Sequence, residues 1–91
     1  MPPPSSPDRD RIVRELRTFV AQWFRDGRED GLLDDTPLVT SGIVDSAGVL
    51  EVVDFVERQF GVAIADTDLS LQNCNTLQSW AALVESRSPA S

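Results

Sequence analysis

Apolar residues recur along this 91-residue chain with helical spacing in three places and with strand spacing almost nowhere. Ile12, Leu16, Phe19/Val20 and Trp23 follow an i, i+4, i+7/8, i+11 pattern, which predicts an amphipathic helix over about 7–25. Ser6-Pro7-Asp8 suits its start, with a serine cap, a proline at the first helical position and an acid in the first turn. Arg9, Arg14, Arg17 and Arg25 fall on its wet side. Val49, Val53, Val56 and Phe60, with Val52 beside them, predict a second helix over about 46–60 that Gly61 is placed to end. Glu51, Asp54 and Glu57 point outward from it. Leu77, Trp80/Ala81 and Val84 predict a last helix over about 76–86, opened by Asn75-Thr76-Leu77-Gln78 with Asn75 as cap and Gln78 reaching back. Asp66-Thr67-Asp68-Leu69-Ser70 suggests one short helical turn. Only Val62-Ala63-Ile64 hints at a strand. The expected fold is all-α: a small four-helix bundle of three main helices and one short one.

The connection over 26–45 is long for so small a domain, and connections of that length are often functional. Leu32, Leu33, Leu38, Val39 and Ile43 are expected to pin it to the core. Both ends are rich in Pro, Ser and small residues. The expected organisation is therefore a tail over 1–6, one domain over 7–86 and a second tail over 87–91. Trp23 and Trp80 are expected to be core anchors.

Charge narrows the choice of partners. The net charge of −7 is uneven: residues 1–28 carry +2 and residues 29–91 carry −9. Such a surface repels phosphate backbones, so nucleic acid is not an expected partner, and it favours proteins with basic patches. No stretch approaches the apolar length of a membrane span. Met1 to Pro7 does not read as a signal or transit peptide, and the single cysteine, Cys74, leaves no disulfide framework. The cytoplasm is the expected compartment and a monomer the expected state.

Candidate chemistry is sparse. Ser46 stands at the head of the second helix, behind Gly42-Ile43-Val44-Asp45, and either Asp45 or Ser46 could serve as its N-cap. Ser46-Ala47-Gly48 supplies half of a nucleophile elbow, but Val44 stands where the first glycine would be. The chain has no histidine to take a serine proton. The serine is thus expected to receive chemistry rather than perform it. Asp26-Gly27-Arg28-Glu29-Asp30-Gly31 has part of a calcium-loop pattern, but Arg28 occupies position three and Pro37 stands where the bidentate Glu is needed. No metal site is expected. Cys74, without a second Cys or a His, is neither a metal site nor an activated nucleophile.

From Leu38 to Asp68 the order of features resembles the acyl and peptidyl carrier protein family. Gly42-Ile43-Val44-Asp45-Ser46 resembles its turn and Asp-Ser pair. The acidic helix ending in Phe60-Gly61 resembles its recognition helix, and Val62-Ala63-Ile64 with Asp66-Thr67-Asp68 resembles the step that follows. The resemblance implies no catalysis by the chain itself. It implies 4'-phosphopantetheine taken from coenzyme A and attached covalently to Ser46, with Asp45 beside it, by a phosphopantetheinyl transferase. It further implies an acyl- or aminoacyl-loading enzyme that charges the arm as a thioester, and a downstream acyltransferase or synthase that receives the cargo. Ala47, Leu50, Glu51, Asp54 and Glu57 would meet these partners. Ala47 stands where relatives usually have Leu, which bears on partner choice, and Arg58 and Gln59 interrupt what is often a longer acidic run. The interrupted run points to a specialised pathway, and the resemblance implies a free-standing carrier of secondary metabolism, of polyketide or nonribosomal peptide type. A phosphate at a helix N-terminus also meets free backbone amides and the positive end of the dipole, and Gly48 is expected to leave room around it. The alternative is a non-carrier helical interaction module that docks through the acidic face.

Overall fold

The structure is a computed structural model and describes residues 9–87. It contains α1 (Arg9–Phe24), α2 (Ser46–Phe60), a single 3-10 turn (Asp66–Asp68), α3 (Leu71–Cys74) and α4 (Leu77–Arg87), with no strand among the described residues. The all-α bundle expected from the periodicity is the fold observed. The capping role of Ser6-Pro7 and both tails, apart from Arg87, lie outside the described residues.

The core is built from the apolar stripes of the helices. Ile12, Leu16 and Val20 of α1, Val52 and Val56 of α2, and Leu77, Trp80, Ala81 and Val84 of α4 are fully buried. Leu32, Leu38 and Val44 join them from the connection, so that segment is part of the core, but Leu33, which was expected to pin it too, is 62% exposed. Burying one such aliphatic side chain contributes ~1.5–3 kcal/mol. Trp80 fills the centre, and its indole Nε1 donates to the Cys74 carbonyl at 2.9 Å. That bond satisfies the one polar group the ring brings inside.

Trp23 corrects the sequence reading, because it is 60% exposed. The buried stripe of α1 is Ile12, Val13, Leu16, Val20 and Ala21, and Trp23 lies beyond it, close to the helix end. There it packs on Phe19 at a centroid distance of 5.6 Å, while Phe19 stacks on Phe55 of α2 at 4.2 Å. The arginines of α1 are also less free than expected. Arg17 pairs with Asp34 and its Nε donates to the Leu32 carbonyl at 2.9 Å, and Arg25 Nη1 donates to the Asp30 carbonyl at 2.8 Å. Both staple the long connection to α1. Arg9 pairs with Glu85 across the bundle at 2.6 Å.

The polar stretch after α2 is more structured than one turn. Gly61, at φ 69°, closes α2 in the left-handed region with its N–H on the Glu57 carbonyl. The 3-10 turn follows, and then a separate helical turn, α3, whose N-cap Ser70 accepts from Asn73 N at 3.2 Å. Cys74 ends α3 and is buried. The cap of α4 is Thr76, not Asn75. Thr76 Oγ1 accepts from Ser79 N at 3.0 Å and Ser79 Oγ accepts from Thr76 N at 3.2 Å, a reciprocal box one residue later than expected. Gln78 is exposed and takes no part in it. Helix α4 runs on to Arg87, which pairs with the buried carboxylate of Asp68. Placing Arg87 in a tail was therefore wrong, because its partner lies far off in sequence.

Candidate functional site

Ser46 is the first residue of α2, and the chain reaches it through a tight, anchored turn. Gly42, at φ 86°, reverses the backbone with its N–H on the Val39 carbonyl at 3.1 Å. Val44 is buried and its N–H donates back to the Leu38 carbonyl at 2.9 Å. Asp45 then caps the helix: its Oδ1 accepts from Gly48 N at 2.7 Å, and its carbonyl accepts from Val49 N at 2.9 Å. Of the two possible caps, the structure selects Asp45. That leaves Ser46 exposed, its hydroxyl without a hydrogen-bond partner among the described residues. A serine free of capping duty, on a rigid turn and at the positive end of a 15-residue helix, is placed to accept an anionic substituent. The residues present therefore fit a phosphodiester on Ser46.

Gly48 does not make room for that group, contrary to the sequence expectation. It is buried, and a Cβ built there would lie 2.7 Å from Phe24 Cε1 and 3.1 Å from Val44 Cγ1. Its missing side chain lets α1's last aromatic ring and the loop plug Val44 close on the start of α2.

The residues expected to meet partners divide into two sets. Ala47, Leu50, Glu51 and Asp54 are exposed, Leu50 at 61%. They form an open face on α2 next to Ser46. Asp54 pairs with Arg58 one turn on. Glu57 is half-buried, and its Oε2 accepts from Ile64 N at 2.9 Å, so its carboxylate holds the chain after α2 against that helix. Two features beside this face were not visible in the sequence. Leu71 of α3 is 54% exposed, and a cleft of about 170 Å³ is lined by Val39, Val49, Leu69, Ser70, Leu71 and Cys74. Periodicity had no purchase on a four-residue helix. Burial pushes the Cys74 thiol above the ordinary cysteine range, which keeps it protonated and unreactive at neutral pH. Among the described residues no cluster of three or more potential metal ligands exists, and the glycine loop after α1 is held instead by Arg25 and Thr18. No helix among them is long and apolar enough to cross a membrane.

An all-helical bundle that offers an uncommitted serine at the start of its acidic second helix is the arrangement the resemblance to carrier proteins implies. Residues 14–84 match the family described as the phosphopantetheine attachment site, and the chain belongs to that family. It is 39% identical over 74 residues to the probable acyl carrier protein PigG of Serratia sp. (strain ATCC 39006), covering 81% of this chain and 85% of that one. Its fold is similar to that of a solved chain described as "Crystal structure of FAD-dependent dehydrogenase", with a TM-score of 0.68 and 26% identity over 75% of this chain and 96% of that one. The cofactor of this family is covalently attached 4'-phosphopantetheine, and family members act as carriers, not catalysts.

Proposed function

We propose that Ser46 is the attachment residue and that the chain carries an acyl or aminoacyl group, as a thioester on the arm, between enzymes of secondary metabolism. The observation that carries this reading is the division of labour at the head of α2: Asp45 caps the helix and leaves the Ser46 hydroxyl exposed and unbonded. The arm supplies the thiol on which cargo is held. The chain's own residues present the serine, keep the neighbouring backbone rigid and offer a face for recognition. With no histidine in the chain, the base that activates Ser46 belongs to the phosphopantetheinyl transferase.

Ala47, Leu50, Glu51 and Asp54 are proposed as the recognition surface for the transferase, the loading enzyme and the downstream acyltransferase or synthase. A small exposed face with two acidic residues and one large apolar residue suits partners that must bind, act and leave, because charge speeds encounter without a large permanent interface. The interruption of the acidic run by Arg58 and the small Ala47 support a specialised set of partners. A flavin-dependent dehydrogenase acting on the carried thioester is one downstream class we propose, on the likeness to the solved chain described in those words.

The test is the intact mass after incubation with coenzyme A, Mg²⁺ and a broad-specificity phosphopantetheinyl transferase. The expected gain is one phosphopantetheine, lost in Ser46→Ala. An alanine variant that still gains it places the arm elsewhere. A folded wild-type chain that never gains it returns the reading to a helical module docking through its acidic face.

A further inference from the structure

The end of the connection before α2 is fastened to the junction of α3 and α4. Leu38 N donates to the Asn75 carbonyl at 2.6 Å, and Val39 N and Thr40 N both donate to Asn75 Oδ1, at 2.9 and 3.1 Å. One residue before Thr76, Asn75 lies between α3 and α4, and its side chain takes no part in capping α4, because Thr76 and Ser79 do so between them. Its side-chain oxygen is spent on two backbone amides 35 and 36 residues away in sequence.

Those latched residues also anchor the turn that delivers the serine. The Val39 carbonyl takes the Gly42 N–H, and the Leu38 carbonyl takes the Val44 N–H. Buried Val44 leads directly to the Asp45 cap and Ser46. Without the latch the two amides lose their acceptor and the turn loses the strut it closes on. The helix would remain, but the approach to its first residue would not be fixed.

We infer that Asn75 is a positioning residue for modification at Ser46, acting through the 38–44 loop; this rests on the Ser46 assignment proposed above. Only an acceptor is required, since among the described residues the Asn75 side-chain NH₂ has no partner. Asn75→Asp keeps the acceptor oxygen and puts a second one in place of the NH₂, whereas Asn75→Ala removes the acceptor. A loosened loop offers the serine correctly for a fraction of the time. The transferase's apparent affinity falls by that fraction, while turnover of the bound, aligned carrier is unchanged.

The experiment measures transferase kinetics with the full chain as substrate, together with amide hydrogen exchange, at a temperature where every variant is folded by circular dichroism. Asn75→Ala is expected to raise KM for the carrier about tenfold with kcat within about twofold. It should also speed exchange at Val39 and Thr40 by about tenfold or more, leaving α1 amides unchanged. Asn75→Asp should stay near wild type on both readouts. Val13→Ala, a buried α1 truncation, controls for lost stability and should leave KM alone. Wild-type KM in Asn75→Ala, a rise in Asn75→Asp equal to that in Asn75→Ala, or an equal rise in Val13→Ala would each overturn the inference. A wild-type chain that gains no mass overturns the Ser46 assignment and the role with it. The exchange data then still decide whether the latch holds the loop, so the two failures are distinguishable.

Discussion

Asp45 allows a clean separation between capping and cofactor contact. Its Oδ1 accepts from Gly48 N at 2.7 Å, a charge-assisted bond in the first turn of α2. Removing a cap of this kind costs ~1 kcal/mol, within a range of about 0.5–2. Removing the negative charge from a helix N-terminus costs a further ~0.3–1 kcal/mol at low salt. Asp45→Ala loses both, for a total of ~1.5–2 kcal/mol. Asp45→Asn keeps the acceptor and loses only the charge, so it should cost a few tenths to ~1 kcal/mol, less as salt rises. In a domain of this size a loss of about 1 kcal/mol moves the melting temperature by about 4–8 °C. Asp45→Ala is therefore expected to melt about 6–16 °C below wild type, and Asp45→Asn about 1–8 °C below. Thermal melts followed by far-ultraviolet circular dichroism measure both, in low and high salt, on the chain before modification. If Asp45→Ala melts with wild type, the cap contributes nothing. If Asp45→Asn falls as far as Asp45→Ala, charge rather than the hydrogen bond is what matters.

Four more outcomes follow from the geometry. Ser46→Ala should change stability by less than ~0.5 kcal/mol, since the hydroxyl is exposed and bonds nothing among the described residues, and urea melts check this. Gly48→Ala should destabilise by ~1 kcal/mol, the crowding against Phe24 and Val44 outweighing the helical gain, and Phe24→Leu in the same chain should recover part of the loss. The Arg87 guanidinium and the Ala65 N–H hold the Asp68 carboxyl below its ordinary value, so this group's contribution to stability is present above the ordinary carboxylate range and is lost as pH falls through the lowered value. Stability measured against pH should accordingly show a smaller acid-side fall in Asp68→Asn than in wild type. After modification, a thiol reagent at neutral pH should label the arm rapidly and Cys74 only on unfolding, and fast labelling of Cys74 in the native unmodified chain would contradict its burial.

The helices that could be read from sequence were those long enough to repeat their pattern. In α2 both ends and the closing Gly61 were predicted to the residue, but the buried stripe is centred on Gly48, Val52 and Val56, with Val49, Val53 and Phe60 only half-buried beside it. In α1 the stripe through Ile12, Leu16 and Val20 was legible, but not that Val13 and Ala21 complete it while Trp23 at its end stays wet. The aromatic pair Phe19–Phe55, made between helices, decided which edge stayed wet. Around Asn75 and Thr76 both residues are competent caps, and local preference could not choose between them. The choice was made by the amides of Val39 and Thr40, whose need for an acceptor no window of local sequence contains. Glu57 shows the same limit at the candidate site. The periodicity put it on the outer face, but it is half-buried by its bond to Ile64 N, which arises only once the chain turns back at Gly61. Serine, cap and acidic face are thus local properties, whereas the fastening of the loop that presents them is a property of the fold.

The two tryptophans give the molecule a pair of optical reporters with separate duties. Trp80 is sealed in the interior with its indole N–H on the carbonyl of Cys74, at the end of α3. Its emission is set by a dry environment and shifts only when α3 separates from α4 or the whole bundle opens. Trp23 stands in solvent beside Phe19, near the end of α1. An external quencher reaches it freely in the native state and cannot reach Trp80. With Trp23 replaced by Phe, the remaining signal follows the α3–α4 junction where Asn75 is seated, so opening of that junction during loading or transfer becomes visible in real time without any attached dye.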